Sequence, residues 1–360
     1  MFLEPIKYNE KIEKQIANKI SDFFYGNLFK GLFDIINTSN RVFNAKTTLL
    51  QEAILKGDIY YQDGAFYSKR NKFSLAISKE LEQIGAKYSK WRKAYVISEL
   101  KLNTEVLWAI QTEKARTDAT VQALVEFLSV KYTELPKQSD EIFFGELVNK
   151  MFLDLQDRLY ANAKKHKIEF ITPKLDDFQL QEIYKNYVDN LDFWIKSFSE
   201  QETIKMRETI LQMVLDGKTT QSIADYIQKR YNIVDKHKAL FLARNENAIA
   251  TASYLKAKYQ AEGFKYFRWH DSHDERVRTL HRELGAKVKN KYGINGTNIF
   301  AFDDPPIIYE QKKDGIVIRQ DRGLPGETYN CRCVMSVYVD KELYKRKHDL
   351  YLQRQKTMVK

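Results

Sequence analysis

Cysteine is scarce in this chain, which has two cysteines among its 360 residues. Two cysteines do not make a disulfide framework, so we expect a protein of a reducing compartment. The sequence also lacks an apolar run of about eighteen residues, so no membrane-spanning helix is predicted. Its start, MFLEPIKYNEKIEK, meets charged residues too early for the apolar region of a signal peptide. These absences argue against a secreted or membrane-embedded protein.

Common catalytic signatures are missing as well. The sequence has no Gly-rich phosphate loop, no cluster of carboxylates suited to Mg²⁺ and no Ser-His-Asp order. A hydrophobic content of 43% is enough to bury a core, and the chain is long enough for more than one domain. We therefore expect a folded protein, and the missing signatures weigh against enzymatic turnover.

Positive charge is abundant, with a net charge of +11 and a pI of about 9.2. The last twenty residues, KELYKRKHDLYLQRQKTMVK, carry seven Lys or Arg against two acids. A basic surface favours a polyanionic partner, most simply nucleic acid. The predicted contacts are Lys345, Arg346, Lys347, Arg354 and Lys356. The alternative is a solvated helical tail without a ligand.

Most of the chain up to residue 262 shows helical spacing. Residues 10 to 37 place Ile12, Ile16 and Ile20 on one face, and residues 103 to 262 are almost continuously helical, with a break at Pro136. A long helix containing Arg244 and Glu246 ends at Gly263. These two charged residues are two apart and do not face each other, so each needs its own partner if buried.

Residues 58 to 98 interrupt the helices with a β-α-β module. Asp63-Gly64 is a type I′ turn signal between two aromatic runs, and a helix ending at Gly85 leads to a second hairpin. That second hairpin mixes basic and aromatic residues: Lys87, Tyr88, Lys90, Trp91, Arg92, Lys93 and Tyr95. We expect its aromatics to face inward and its basic residues outward, with base stacking as the alternative.

The C-terminal segment concentrates histidine and cysteine. FKYFRWHD alternates as a strand, and Ser272 with Glu275 is a capping-box pattern that predicts a helix from Ser272 to Gly285. Helical spacing turns His281 inward beside leucines. Strand alternation places Cys331 and Cys333 on one apolar face, and a disulfide between residues two apart would be badly strained.

The order of these motifs resembles the C-terminal domain of the phage Mu F-like minor head proteins, the head morphogenesis family. An Arg-x-Glu helix is followed by a strand-end Trp, an Asp-x-Arg-Val-Arg-x-x-His stretch, a Leu-Pro-Gly turn and Asn-Cys-Arg-Cys. The matching positions are Arg244, Glu246, Trp269, Asp274, Arg276, Arg278, His281, Pro325, Asn330, Cys331, Arg332 and Cys333. The resemblance covers roughly residues 200 to 340. Asn245 departs from it, since the family usually has Thr between Arg and Glu.

The resemblance implies a minor capsid protein of a tailed phage or prophage, which associates with the portal vertex and the capsid interior. It implies assistance in procapsid assembly and in DNA packaging or delivery. The implied partners are the portal protein, the scaffold or major capsid protein and non-specifically bound phage DNA, with no membrane partner. The implied locations are the host cytoplasm during assembly and then the virion.

Three interpretations of the histidine and cysteine set stay open. In the first, which we expect, His281 bonds a backbone carbonyl or Asp274, both cysteines pack as small hydrophobes, and the arginines pair with Glu246 or Asp271. That interpretation requires no cofactor and no catalytic residue. In the second, His281, Cys331 and Cys333 hold a structural zinc ion, completed by His270, His273 or an Asp. In the third, Arg244, Glu246, Asp274 and His281 serve a phosphate-chemistry enzyme, namely a nuclease or a nucleotide transferase, including a phage-borne toxin-like effector.

The predicted fold class is α+β, largely helical in its N-terminal and middle regions, with the inserted β-α-β module and a small C-terminal α/β domain of Mu F-like type. The predicted segments are a helical region 1–57, the module 58–98, a helical region 99–198, the Mu F-like domain 199–340 and a basic helical tail 341–360.

Overall fold

The chain forms two compact units. A computed structural model describes residues 1–40, 47–138, 144–170, 177–273, 275–313, 316–329 and 331–358. The first unit comprises Met1–Ile20, Ile142–Trp194 and Lys238–Lys360, and the second comprises Ser21–Glu141 and Ile195–His237. Each unit joins segments that are distant in the sequence. The five consecutive segments drawn from the sequence remain a prediction.

Helices dominate the described residues, as predicted, and the fold class is α+β. The α-helices are α1 Glu10–Phe24, α2 Lys30–Asn40, α3 Leu49–Leu55, α4 Leu75–Gln83, α5 Thr104–Gln138, α6 Gly145–Lys165, α7 Asp177–Leu215, α8 Thr220–Ile233, α9 Ala239–Ala261, α10 Thr279–Gly285 and α11 Lys341–Met358. Single π-helical turns at Tyr25–Phe29 and Val234–Lys238 precede α2 and α9. The strands are β1 Ile59–Gln62, β2 Ala65–Ser68, β3 Lys87–Ser89, β4 Ala94–Val96, β5 Tyr266–His270, β6 Ile299–Ala301, β7 Ile307–Lys313, β8 Ile316–Arg322 and β9 Val334–Tyr338.

The helix boundaries follow local signals in most places. Thr48 caps α3 with a capping box that Gln51 completes, and Thr219 caps α8 through its side chain. The expected break at Pro136 is wrong, because α5 continues to Gln138. Pro136 lies in the last turn, so the helix ends two residues after the proline instead of at it.

The β-α-β module is present where the sequence predicted it. Strands β1 to β4 form a sheet of order β1-β2-β4-β3, with α4 connecting its two hairpins. Asp63 and Gly64 both have positive φ angles, of 50° and 74°, as a type I′ turn requires. The core of the module extends into α3 and into the start of α5, where Leu50 and Val106 are buried with Phe66. The module therefore belongs to the helical core of the second unit.

The second hairpin corrects one expectation. Its basic residues Lys87, Lys90, Arg92 and Lys93 are exposed as expected. Tyr95 is buried, but Tyr88 is 49% exposed and Trp91 is 89% exposed. Trp91 lies between β3 and β4, where strand alternation does not determine the direction of a side chain.

The first unit contains a three-stranded antiparallel sheet of order β6-β5-β9. The predicted strand at FKYFRWHD is β5, the central strand, with Phe267 and Trp269 fully buried. The backbone of residues 1 to 3 pairs with the outer edge of β9: Leu3 N–H donates to Val337 O and Val339 N–H donates to Met1 O. Strands β7 and β8 pair with each other separately, in antiparallel orientation.

Helix α9 crosses this unit and ends where the sequence indicated. Gly263 has a φ of 82°, and its N–H and that of Phe264 donate to Gln260 O and Tyr259 O in a Schellman pattern. In the part of the chain that the structure describes, no helix is long and apolar enough to cross a membrane.

Candidate functional site

Helix α9 places Arg244 beside Glu13 of α1. Arg244 Nη2 and Nε lie 3.2 and 3.3 Å from Glu13 Oε1, and the Glu13 side chain is almost completely buried. This pairing corrects the expectation that Arg244 pairs with Glu246 or Asp271. No local sequence pattern could predict this ion pair, because its partners are 231 residues apart.

Glu246 is 1% exposed and lies in an amide-rich environment. Asn245 Nδ2 donates to Glu246 Oε1 at 2.8 Å, and the side-chain amide of Asn190 lies near enough to the carboxyl group to affect its pKa. Burial raises the pKa of Glu246 above its usual value, although both amide contacts oppose that shift. Asn245, the departure from the family pattern, thus supports the neighbouring motif residue directly. A small cavity beside Glu246 is bordered by Tyr187 and Asn190.

The histidine helix is shorter than predicted. Helix α10 starts at Thr279, so the capping-box interpretation of Ser272 and Glu275 is wrong. His273 adopts a left-handed conformation with a φ of 52°, and Arg278, directly before α10, has a φ of −59° and a ψ of 143°, so neither residue is helical. The expected end at Gly285 is confirmed, and His281 faces inward as predicted.

His281 forms a compact cluster with Cys331 and Cys333. Its Nδ1 lies 3.3 Å from Cys331 Sγ and 3.5 Å from Cys333 Sγ. Its Nε2 lies 3.0 Å from Ile308 O, and since a carbonyl only accepts hydrogen bonds, Nε2 carries the proton. In the neutral ring, Nδ1 would then face both sulfurs with its lone pair. The Trp269 ring packs edge-on against His281 at 5.3 Å.

Both thiols are free and buried. They precede β9 instead of lying within it, although both face the apolar side as expected. The pKa of Cys331 is lowered, because the Cys333 thiol donates to it and His281 lies beside it. The pKa of Cys333 is raised, because its ionisation would place a second negative charge against Cys331. Without a cation, this pair holds one negative charge more easily than two.

Three arginines border the same cluster. A cavity of about 30 Å³ is lined by Ser272, Arg276, Val277, Arg278, His281, Cys331, Arg332 and Cys333. The Arg278 guanidinium also donates to Thr328 Oγ1, at 3.2 Å, and to Tyr329 O, which fixes the chain just before the cysteines. Asp274 and Asn330, two motif positions, lie outside the described residues.

The Leu-Pro-Gly turn packs closely on α9. Pro325 is buried, and Gly326 has a φ of 97°. A Cβ atom at Gly326 would lie 3.1 Å from Ala248 O, which explains the glycine. The predicted motif residues of the turn therefore contribute to packing.

The basic C-terminal helix has two different sides. Lys345, Arg346, Arg354 and Lys356 are exposed, as a nucleic-acid contact requires. Lys347 is 0% exposed, which corrects its assignment to the exposed basic surface. Its Nζ lies 2.7 Å from Glu262 Oε2, over the rings of Phe170 and Phe264. Arg354 pairs with Glu169 while remaining exposed.

Glu246 and His281, two residues of the catalytic set that the enzyme interpretation names, do not line the same cavity. Glu246 borders one cavity, and His281 borders another with the cysteines. Arg244 is engaged with Glu13. By contrast, His281, Cys331 and Cys333 bring three donor atoms within 4.8 Å of one another, which makes them the described residues best placed to hold a metal ion.

Comparison with known proteins identifies this region. Residues 204–336 match the family model described as Phage Mu protein F like protein, which confirms the resemblance predicted from the motifs. The chain is also similar to a Haemophilus influenzae protein described as an uncharacterized protein, with 27% identity over 146 residues. That similarity covers 41% of this chain and 27% of its relative, so the chain spans about a quarter of the relative's length. No solved structure matches the chain.

Proposed function

We propose that this chain is a minor head protein of a tailed phage or prophage, which acts in head morphogenesis at the portal vertex and inside the capsid. The observation that carries the proposal is the Mu F-like match over residues 204–336. That segment contains α9, strands β5 and β6, the first part of β9 and the His–Cys cluster, while the N-terminal residues complete the edge of the sheet.

The contacts of the motif residues support a structural role. Arg244 ties α9 to α1, Gly326 fits against α9, and Arg278 holds the segment before the cysteines. Each contact closes the fold across a long sequence separation, which suits a protein that must stay rigid inside an assembly. We propose that the chain has no enzymatic turnover.

The proposed partners are the portal protein, the scaffold or major capsid protein and packaged DNA. For DNA, the exposed residues of α11 provide a basic surface, and phosphate contacts by Lys and Arg need no sequence recognition. The β3–β4 hairpin, with exposed Trp91 between Lys90 and Arg92, is the alternative contact. Its exposed ring suits single strands better than a duplex.

Head particles assembled by the genetic element that encodes this chain test the proposal. We expect the chain to co-sediment with DNA-free proheads and to remain bound to the portal protein when the shell is dissociated. A deletion of the gene should reduce the yield of infectious particles. Normal particles from the deletion strain, together with a chain found only outside particles, would contradict the proposed function.

The enzyme alternative has its own test. Purified protein incubated with plasmid DNA and Mg²⁺, Mn²⁺ or Zn²⁺ should leave the DNA intact, and incubation with labelled nucleotides should transfer no group to protein or nucleic acid. Turnover that disappears in both Glu246→Gln and His281→Gln variants, with folding retained, would establish the enzyme instead.

A further inference from the structure

We propose that His281, Cys331 and Cys333 form a binding site for a zinc-type transition-metal ion, with two thiolates and one imidazole nitrogen as ligands. This inference is independent of the role of the protein in heads. It starts from the donor atoms: Nδ1 lies 3.3 and 3.5 Å from the two sulfurs. Two sulfur ligands and one nitrogen ligand around a tetrahedral ion at ordinary bond lengths lie at similar mutual separations, roughly 3.5 Å.

The second nitrogen of His281 has the partner that a metal-bound histidine usually has. Nε2–H donates to Ile308 O, which fixes the tautomer and directs the Nδ1 lone pair towards the cysteines. A histidine that only fills a core needs one hydrogen-bond partner for each ring nitrogen. Here, Nδ1 faces two thiol sulfurs at once.

The surroundings of the sulfurs suit thiolates. The backbone N–H of Cys333 donates to Cys331 Sγ at 3.4 Å, and such bonds stabilise negative charge on sulfur. Arg276, Arg278 and Arg332 line the adjoining cavity. Its volume of about 30 Å³ is larger than the roughly 15 Å³ that a single water needs, so an ion with a water-sized fourth ligand can be accommodated.

The position of the cluster explains what such an ion would contribute. It connects α10 with the segment before β9, fifty residues later in the chain. The sheet of this region has three short strands, and long loops lie between them. Small, loop-rich regions commonly depend on a metal or a disulfide for stability, and both cysteines here are free of disulfides.

The chemistry of the donors selects the ion. Thiolate and imidazole favour Zn²⁺ and its spectroscopic substitute Co²⁺ over Mg²⁺ or Ca²⁺, which prefer oxygen. Full-length protein purified without an affinity tag should contain about one equivalent of zinc by mass spectrometry. Cobalt substitution of the wild type should give sulfur-to-cobalt charge-transfer bands and the intense visible bands of a tetrahedral ion, and excess Mg²⁺ should not remove them.

Variants assign the ligands. Cys331→Ser, Cys333→Ser and His281→Gln should each lower bound zinc at least tenfold, whereas His270→Gln, a change at another partly buried histidine of the same unit, should keep a full equivalent. A wild-type protein with less than a tenth of an equivalent and no cobalt–sulfur bands would overturn the proposal, without any need for the variants to fold. Loss of zinc in His270→Gln, with folding retained, would overturn the three-residue assignment.

Discussion

Lys347 of α11 and Glu262, at the end of α9, form a completely buried ion pair, with Nζ 2.7 Å from Oε2. Lys258 lies on the other side of the same carboxylate, 3.6 Å from its Oε1. One buried acid thus serves two buried cations, and burial lowers the pKa of Lys258. This arrangement fixes the C-terminal helix to the end of α9.

The first prediction follows from the two buried lysines that share one buried carboxylate. Glu262→Gln leaves two buried ammonium groups without their carboxylate and should cost about 3–5 kcal/mol of unfolding free energy. Lys347→Met removes one cation and leaves Glu262 paired with Lys258, so it should cost less than half as much. Urea denaturation at neutral pH measures both. Equal losses in the two variants would show that packing, and not charge, dominates this cluster.

The second prediction concerns Glu246, whose pKa is raised by burial. A raised folded-state pKa means that the carboxyl group destabilises the fold once pH exceeds its unfolded value and the group must ionise. Glu246→Gln should therefore be more stable than the wild type at pH 7, and this advantage should disappear in acid. Gln keeps an oxygen that can accept from Asn245.

Glu13→Gln is the matched control for that experiment. It removes the charge that pairs with Arg244 in the same unit, so it should lower stability at pH 7. Chemical denaturation from pH 4 to pH 8 shows whether each variant gains or loses unfolding free energy relative to the wild type. A destabilised Glu246→Gln variant at pH 7 would mean that the Glu246 carboxylate is ionised and stabilising in the fold.

The third prediction concerns His270, whose Nε2 forms a hydrogen bond with Ser336 Oγ at 2.7 Å. Burial, with Arg268 and Lys287 nearby, lowers the pKa of His270 to about 4, from an ordinary value of 6.5. Between pH 4 and pH 6.5, the unfolded chain therefore binds a proton at His270 that the folded chain does not bind. Stability should be complete above pH 6.5 and should fall as pH decreases towards 4.

Measurement of this effect requires chelator in all samples, so that loss of a bound metal in acid does not contribute. The decrease in stability from pH 7 to pH 5 should be smaller in His270→Gln than in the wild type, and NMR should show neutral His270 at pH 5. A protonated His270 at pH 5 would refute the prediction.

The fourth prediction compares two glycines that share a left-handed conformation. Gly326 has a φ of 97° and faces Ala248 O, whereas Gly296 has a φ of 72° and open space around it. Both Gly→Ala changes should cost about 1 kcal/mol from backbone strain. Gly326→Ala should cost about 1–3 kcal/mol more, because the methyl group forces the turn away from α9. Thermal unfolding compares them, and equal shifts would disprove the steric account.

The fifth prediction concerns DNA. Reversal of three exposed charges on α11, Lys345→Glu, Arg346→Glu and Lys356→Glu, should weaken duplex binding and reduce its salt dependence by about two to three counterions. Lys347 stays in place, so the helix remains docked. The control reverses three exposed lysines elsewhere in the first unit, Lys150, Lys164 and Lys185. Equal losses would indicate an effect of net charge alone.

A parallel arm of that experiment uses Trp91→Ala and single-stranded DNA. If α11 is the contact, this variant should bind duplex DNA like the wild type. A selective loss of single-strand binding would assign the contact to the β3–β4 hairpin, where the Trp91 ring is exposed.

Elements with local signals could be predicted from the sequence. Turn chemistry located the hairpin at Asp63-Gly64, and periodicity turned His281 inward towards the cysteines. The partners of Arg244 and Lys347 could not be predicted, because each pair joins helices that only the tertiary fold brings together. The predicted start of α10 was wrong for a related reason. The capping-box spacing at Ser272 is a local preference, whereas the close packing of Gly285 on Asp271, the residue before Ser272, is a tertiary contact.

The pairing of residues 1 to 3 with β9 has a practical consequence for the expression of fragments of this protein. A fragment cut at the limits of the matched region, 204–336, would lose that pairing and would also end inside β9. An unpaired strand edge recruits another strand, most readily from a second copy of the same molecule. Oligomers or precipitates of such a fragment would then be products of the cut, and an expression strategy that keeps the first residues joined to the C-terminal region should avoid them.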